Sequence, residues 1–381
     1  MRITARGLNR ATLGRQMLLQ REPLGVDDAA RRVVALQAQF PASPYVALWN
    51  RLDGFDPADL DAAFAGGTIV KSNSVRITLH ATHVDNYQPF REATDPSLRG
   101  ARFLDRRFKA SGLTLEDADA LIPEIQAFAS QSRTADEMRD WLEARLGPPL
   151  HKGAWWGLRH YSPLLHAPTG GAWSFGARTS YIAPPVRPVL ADPDVADESL
   201  QTIALRYLEG FGPASVADVA QFALVQRGRA RKALNTLAND LERLEGPNGE
   251  ELSDVPGALR PDEDTPAPPR LMAMWDNILL AYFDRSRVIP PEYRKIVIRI
   301  NGDVLPTLLV DGYVAGLWRA VEGGIEATAF HPLADDVWEG LAAEARSLAA
   351  FLCGREPEVY RRYHHWWDKL PDAETRLLPD D

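Results

Sequence analysis

Two glutamines separated by one small residue are the feature of this sequence most suited to chemistry. Gln37 and Gln39 flank Ala38. A glutamine carboxamide has an oxygen that accepts hydrogen bonds and an NH₂ group that donates them, so it can orient water or a polar substrate. It cannot act as a strong base, and catalysis by such a pair would therefore rest on positioning.

The glutamine pair lies where a predicted helix ends. Asp27 and Asp28 suit a first helical turn, and we expect the helix to stop near Phe40, because a residue before proline is biased away from helix. Residues i and i+2 do not share a helix face, but at a helix end both amides can turn toward one point. From the pattern alone, two ordinary polar residues at a helix terminus are the commoner explanation.

Other motifs that would indicate a reaction class are missing from the sequence. It has no spacing typical of metal ligands, no phosphate-binding glycine loop, no dinucleotide fingerprint and no nucleophile elbow, so we expect neither metal nor cofactor. The single cysteine, Cys353, cannot form an internal disulfide, which favours the reducing cytoplasm. No run of 18 apolar residues occurs, so we expect no membrane partner.

Charge is distributed unevenly along the 381 residues. Residues 1–110 hold 16 basic and 11 acidic side chains. Residues 111–381 hold 27 basic and 41 acidic side chains, and the net charge of the whole chain is −9. A basic first third on an acidic body indicates one surface for a polyanion such as DNA, although chance asymmetry would look the same.

Two basic segments are candidate DNA contacts. The segment QRGRARK enters a predicted helix, where side chains and backbone N–H groups can meet phosphate, and a solvated basic face is an equally good explanation. Arg178 lies in the second strand of a predicted hairpin and could reach a DNA backbone or groove. The DNA-binding candidates from these segments are Arg178, Arg229, Arg231 and Lys232.

The order of predicted elements indicates repeated small DNA-binding units. Helix, helix, short helix and a strand pair follow one another, as in a winged helix-turn-helix, and Thr134 and Ser215 are predicted to cap helices in later copies. We predict an α+β fold, mostly helical, of tandem winged helix-turn-helix units with a mixed α/β C-terminal domain and a frayed tail over the last dozen residues. The predicted parts are residues 1–110, 111–190 and 191–258 as winged-helix units, 259–270 as a proline-rich linker and 271–381 as the C-terminal domain.

Several stretches together resemble one known family. Gln37-Ala38-Gln39 has the form glutamine, apolar residue, then glutamine or aspartate, which is the hallmark of the bacterial winged-helix DNA glycosylases of the AlkZ and YcaQ type. The chain is also similar to that family, in the right order, at SVRITLHAT (74–82), FGPASVADVAQF (211–222), WDNILLAYFDRSRVI (275–289) and PTLLVDGYVAGLW (306–318). The resemblance covers nearly the whole chain.

The resemblance implies a concave DNA-binding surface with Gln37 and Gln39 as catalytic residues, and Arg76 and His80 as DNA contacts beside them. From its strand-like context alone, a core or hydrogen-bonding histidine is the commoner explanation for His80. We expect a monofunctional glycosylase that removes bulky or crosslinked N7-alkylated purines. The glutamine pair would position the water and stabilise an oxocarbenium-like sugar. Such enzymes serve DNA repair or self-resistance to a genotoxic natural product. The expected partner is damaged double-stranded DNA. We expect a cytoplasmic protein associated with the nucleoid, which acts as a monomer and needs no obligate protein partner.

Two other classes remain open from the sequence. A winged-helix regulator would bind intact DNA of one sequence tightly and release no base. A drug-sequestering resistance protein would bind the small molecule itself without DNA.

Overall fold

Antiparallel sheets with helices packed around them make up the fold. The computed structural model describes residues 1–371 and 373–379. Helical residues, 3₁₀ turns included, are 47% of the chain, in line with the predicted α+β class. The α-helices are α1 (Ala5–Arg15), α2 (Val26–Arg32), α3 (Ser43–Trp49), α4 (Pro57–Gly66), α5 (Val84–Phe103), α6 (Arg106–Lys109), α7 (Leu115–Phe128), α8 (Ala135–Leu146), α9 (Lys152–Tyr161), α10 (Pro193–Phe211), α11 (Val216–Ala223), α12 (Arg227–Thr236), α13 (Arg294–Val297) and α14 (Asp335–Cys353).

Helix starts follow the predicted caps. The Thr134 side chain accepts a hydrogen bond from the Glu137 N–H and Glu137 bonds back to the Thr134 N–H, so a capping box begins α8. Ser215 and Asp218 make the same reciprocal pair at the start of α11. Each box satisfies N–H groups that a helix terminus otherwise leaves without partners.

Three sheets contain the strands. A six-stranded sheet has the order β1-β3-β2-β5-β6-β4, a five-stranded sheet has the order β13-β12-β11-β10-β9, and β7 pairs with β8. The strands are β1 (Leu36–Gln37), β2 (Ile69–Asn73), β3 (Leu79–His83), β4 (Arg133–Thr134), β5 (Leu165–Ala167), β6 (Ser180–Ile182), β7 (Glu242–Glu245), β8 (Glu251–Asp254), β9 (Arg270–Leu271), β10 (Thr307–Val310), β11 (Tyr313–Val321), β12 (Gly324–Ala329) and β13 (Glu374–Leu378).

The six-stranded sheet joins two stretches of chain that are far apart in sequence. β1, β2 and β3 come from residues 1–110, and β5 of the predicted hairpin pairs with β2 through Lys71 and His166. β5 and β6 pair antiparallel, as predicted for that hairpin. Strands of the first two predicted units therefore lie in one sheet.

The helix predicted to run to Phe40 ends eight residues early. α2 stops at Arg32, Val34 has a φ of 71°, and Leu36 and Gln37 form β1 instead. β1 pairs with Ala81 and His80 of β3. The prediction is wrong here because pairing with a distant strand overrides the local helical pattern.

Two parts of the C-terminal region differ from what their sequences favour. The apolar stretch KIVIRING (295–302) alternates as a strand does, but it begins in the short helix α13 and continues into a turn. The last dozen residues do not fray throughout, because β13 pairs with β12 along its length and Leu378 is buried. Turns at Asp311-Gly312 and Gly323-Gly324, dipeptides typical of hairpins, connect β10, β11 and β12.

Buried ion pairs tie the regions together. Arg51, at the end of α3, contacts Asp276 of the C-terminal region at 2.7 Å, and both side chains are 1% exposed. Arg15 of α1 contacts Asp254 of β8 at 2.7 Å. Residues 259–269 lack regular structure, as predicted for the linker, yet Arg10 of α1 donates to the Thr265 carbonyl. In the part of the chain that is described, no helix is long and apolar enough to cross a membrane.

Candidate active site

A cleft of about 470 Å³ brings both glutamines of the motif together. Strands β1 to β3 and the turn after β2 form one wall. Helices α5 and α9 with the β5–β6 hairpin form another, and the loop at residues 301–303 forms a lip. The sheet shared by the first two predicted units therefore positions most of the site.

Gln37 lies on β1, directly opposite His80 of β3. It is 6% exposed and lines the cleft. Its Oε1 accepts a hydrogen bond of 2.8 Å from Nη2 of Arg76. Pairing of the strand and this side-chain contact together hold Gln37 in one orientation.

Arg76 is turned inward, toward the protein. Besides Gln37, its Nη2 lies 3.0 Å from Nε2 of His80 and 2.6 Å from Oδ1 of Asn277. Burial, with a contribution from the nearby cation Arg285, lowers the pKa of Arg76 to about 9. The guanidinium stays charged at neutral pH and bonds to groups of the protein, so its orientation does not favour the predicted contact with DNA.

His80 lies behind the glutamine and is fully buried. Burial, followed by the charge of Arg76, lowers its pKa to about 3. The neutral ring donates from Nδ1 to the Thr78 carbonyl at 3.0 Å, which leaves Nε2 to accept from Arg76. A side chain with no exposed surface cannot touch DNA, so the prediction for His80 is also wrong.

Gln39 follows the strand and is exposed at the cleft. The Ala38 N–H donates to the Leu79 carbonyl at 2.8 Å, so pairing with β3 extends one residue beyond β1, and Gln39 follows in a bend of the backbone. Strand pairing therefore places Gln37 and a bend places Gln39 at the same cleft, whereas the sequence predicted a helix end for both.

Two arginines on the opposite wall were not found by sequence reasoning. Arg102 of α5 and Arg159 of α9 line the cleft, and neither forms an ion pair within residues 1–371 and 373–379. Each guanidinium lies over a tryptophan ring, Arg102 over Trp156 at 5.0 Å and Arg159 over Trp155 at 5.5 Å. Burial and the neighbouring cation Arg107 lower the pKa of Arg102. The adjacent Trp155 and Trp156 are the local sequence signal near these arginines, and paired aromatic residues are typical of packing.

The same wall carries two histidines that are neutral at pH 7. Burial lowers the pKa of His160 to about 4 and that of His166 to about 3. Lys71, the lysine nearest the motif in sequence, is buried and its Nζ lies 4.3 Å from the Phe175 ring centroid. Burial lowers the pKa of Lys71 to about 8, and Lys71 does not line the cleft.

The lip supplies a carboxylate. Among the described residues that line the cleft, only Asp303 carries one. Its Oδ2 accepts from Nε1 of Trp366 and Nδ2 of Asn301, both at 2.9 Å. The sequence offered no signal for Asp303, because its place at the lip depends on the fold of the C-terminal region.

The predicted basic contacts lie outside the cleft. Arg229 and Lys232 of α12 both contact Asp197 at 2.8 Å, which offsets much of their charge. Arg231 is exposed, and so is Arg178, next to Thr179 in the cleft wall. No group of three or more His, Cys, Asp or Glu side chains within the described ranges is placed to hold a metal ion.

Comparison with known proteins fits this arrangement. The profile of the AlkZ-like family, described as "DNA glycosylase AlkZ-like", matches residues 30–351. The chain belongs to the AlkZ-like DNA glycosylase family. The resemblance seen in the sequence is thereby confirmed, and the chain is an enzyme of the class that hydrolyses N-glycosyl bonds.

Two relatives of this AlkZ-like chain come from Streptomyces sahachiroi. An interstrand DNA cross-link repair glycosylase is 24% identical over 351 residues, which cover 83% of this chain and 88% of that protein. The solved structure of the DNA glycosylase AlkZ aligns with a TM-score of 0.76 at 21% identity, covering 94% of this chain and 99% of that one. The structural likeness shows that the AlkZ-like chain has the same fold.

Proposed function

We propose that this AlkZ-like enzyme is a monofunctional glycosylase that releases bulky or crosslinked N7-alkylated purines from double-stranded DNA. The observation that carries the proposal is the pair of uncharged amides, Gln37 and Gln39, lining one cleft beside histidines held neutral by burial. The relative named as an interstrand cross-link repair glycosylase supports a large lesion.

The chemistry of an N7-alkylated purine suits a site without a strong acid. Such a base is already cationic, so it departs neutral when the bond to C1′ breaks and needs no proton from the protein. The remaining work is to place a water at C1′ and to stabilise an oxocarbenium-like sugar. The glutamine pair performs this work by orienting groups that carry no net charge.

Charges around the cleft suit a nucleic acid strand. Arg102 and Arg159 have no carboxylate partner among the described residues and can meet the phosphates flanking a lesion. Asp303 on the lip is the negative group that a cationic sugar would favour. The cleft thus offers positive charge for phosphate and negative charge for the transition state.

The proposed reaction stops at hydrolysis. A glycosylase with lyase activity uses an amine to attack C1′. Lys71 lies against the Phe175 ring and does not line the cleft, so no amine in the described part of the chain is placed for that step. The product is an abasic site.

Tandem winged-helix units would dock the DNA. In the third predicted unit, α10, α11 and α12 are followed by the β7–β8 hairpin, which is the order of a winged helix. We propose that Arg178, near the cleft wall, and Arg231, on α12, contact the backbone, since both are exposed and neither forms an ion pair in the described ranges. Arg229 and Lys232 contribute less, because Asp197 pairs with both.

The test is release of base from damaged DNA. Purified protein should release 7-methylguanine from methylated duplex DNA and unhook a duplex crosslinked through guanine N7. Gln37→Ala and Gln39→Ala should each lower the single-turnover rate by about 100-fold, because removing one positioned group costs on the order of 3 kcal/mol. Binding to DNA that contains a stable abasic analogue should change less than threefold.

Gln20→Ala is the matched control, because Gln20 is exposed and lies outside the cleft. Parallel loss of binding and of release would make the pair a binding element. Tight binding to intact duplex without any release would point to a regulator, and binding of the free alkylating drug without DNA would point to a sequestering protein.

A further inference from the structure

The two glutamines make different contacts, and this difference assigns them different roles. We infer that Gln37 acts as a hydrogen-bond donor to the departing purine and Gln39 as the acceptor that orients the water, with Arg76 as the positioning residue for Gln37. The inference rests on the proposed glycosylase function and specifies how the same site works.

The orientation of the Gln37 amide follows from its neighbour. A guanidinium carries only donors, so the Gln37 atom 2.8 Å from Arg76 must be the amide oxygen. Without such a neighbour, the oxygen and the nitrogen of a glutamine amide could equally well be assigned the other way round. With Oε1 engaged by a cation, the group that Gln37 can offer a substrate is its NH₂, which has no hydrogen-bond partner among the described residues.

Three acceptors surround one nitrogen of Arg76. Oε1 of Gln37, Oδ1 of Asn277 and Nε2 of His80 share the two hydrogens of Nη2, and Asn277 donates its own Nδ2 to the Ala35 carbonyl. The backbone at Arg76 has a φ of 55°, a left-handed conformation that is unfavourable for a side chain of this size. The folded protein maintains this strained turn, which places the guanidinium beneath Gln37.

His80 can serve this arrangement only when it is neutral. A protonated imidazole has a hydrogen on Nε2 and would oppose the Arg76 donor 3.0 Å away. Its burial favours the neutral form, and donation from Nδ1 to the Thr78 carbonyl selects the tautomer in which Nε2 is free to accept. The buried histidine therefore supports the orientation of Arg76, and through it that of Gln37.

The amide of Gln39, unlike that of Gln37, is free to rotate. It is exposed at the cleft, and no side-chain contact with another described residue fixes its amide. Its carbonyl can accept from a water while the proton released later passes to solvent.

The bond changes balance with these roles. The C1′–N9 electron pair moves onto the purine ring, where it neutralises the N7 cation, and the water oxygen forms the new bond to C1′. A donor at Gln37 stabilises the electron density arriving on the base, whereas the same donor at the sugar oxygen would oppose the developing positive charge. Gln39 orients the attacking water, whose proton leaves to solvent.

Glutamate substitutions separate the two roles, because glutamate keeps the shape of glutamine and cannot donate when ionised. Gln37→Glu should fold well, since its carboxylate pairs with Arg76, but it should lose at least 100-fold in the single-turnover release of 7-methylguanine from methylated duplex DNA. Gln39→Glu should release base faster than wild type at neutral pH. Its release rate should decrease when the pH is lowered to about 5 and beyond, because the carboxylate is then protonated. The rate of the wild-type enzyme should lack this decrease at acid pH, the acid limb of the pH profile.

Gln20→Glu controls for an added negative charge away from the cleft. Arg76→Gln tests the positioning role: the release rate should fall at least 10-fold while the Kd for DNA with an abasic analogue stays within threefold. The effects of Arg76→Gln and Gln37→Glu should be strongly non-additive in the double variant.

Each outcome decides one claim. A Gln37→Glu enzyme as active as wild type would overturn the donor role, and additive effects of Arg76→Gln and Gln37→Glu would overturn the positioning role. If Gln39→Glu lost all activity without an acid limb, Gln39 would not be the acceptor. If wild type released no base from methylated or crosslinked DNA, the proposed function would fail and this inference with it.

Discussion

At the scale of single residues, the site depends on groups whose ionisation is set by burial. His80, His160 and His166 all have lowered pKa values, with burial as the first cause. His160 and His166 line the cleft as neutral rings and therefore add no positive charge to that of Arg102 and Arg159 on the same wall.

The buried histidine should make folding stability depend on pH. His80 titrates near pH 6.5 when unfolded and near 3 when folded, so between these values the unfolded chain binds more protons. The contribution is fully present above pH 6.5 and is lost as pH falls toward 3. Between pH 6.5 and pH 5, His80 should account for about 2 kcal/mol of lost unfolding free energy.

Urea unfolding at pH 7.5, 6.5 and 5 measures this effect. His80→Asn removes the titrating ring and keeps a hydrogen-bonding side chain, so its stability should fall less steeply over the same range. His331 is exposed, and His331→Asn is the matched control. Equal slopes for wild type and His80→Asn would contradict the assignment.

At the scale of elements, strand pairing rather than helix ends positions the motif. β1 is only two residues long, and pairing with β3 aligns Gln37 with His80. The capping box of α11 also links two regions of the protein. Asp218 accepts a hydrogen bond of 2.9 Å from the Phe283 N–H and so connects α11 to the C-terminal region.

Removing the Asp218 carboxylate should lower the free energy of unfolding markedly. Asp218→Ala removes one half of the capping box, the acceptor for the Ser215 N–H, and leaves the partly buried N–H of Phe283 without its partner, so it should destabilise the protein by about 2–3 kcal/mol. Asp117→Ala breaks an exposed capping box of the same form on α7 and should cost clearly less. Thermal and urea unfolding measure both, and equal losses would show that the contact with Phe283 contributes nothing.

At the scale of the whole molecule, one large core links the first and third predicted units with the C-terminal region. Buried apolar residues from α1 through the C-terminal sheet belong to that cluster, whereas the second predicted unit packs around a core of its own. The buried pair of Arg51 and Asp276 joins the first and last regions. The cleft lies where these regions meet, so its geometry depends on their assembly.

The Arg51 pair should be a strong determinant of stability. Asp276→Ala leaves the Arg51 charge buried and unpaired, which should cost about 3–5 kcal/mol. Asp336→Ala, at the exposed start of α14, is the matched control. Differential scanning calorimetry should show one transition in wild type, shifted to lower temperature in Asp276→Ala, whereas an unshifted midpoint would refute the role of the pair.

The sequence by itself determined the family, the α+β class, most helices and the residues Gln37 and Gln39 as the centre of interest. Local signals suffice for these: caps such as Ser215 with Asp218, glycine turns, and a motif three residues long. Division into winged-helix units and the catalytic roles stay predictions. The described tail and the end of α2 were mispredicted, because both depend on strand partners far away in sequence.

Only the tertiary structure decided which side chains meet. Asn277 reaches Arg76 across 201 residues, and Arg102, Arg159 and Asp303 come to the cleft from three separate elements. Such contacts have no local pattern, because they arise from packing of distant elements against one core. For the same reason Arg76 and His80, predicted as DNA contacts, lie behind Gln37: burial and orientation are properties of the folded chain, and residue type alone cannot reveal them.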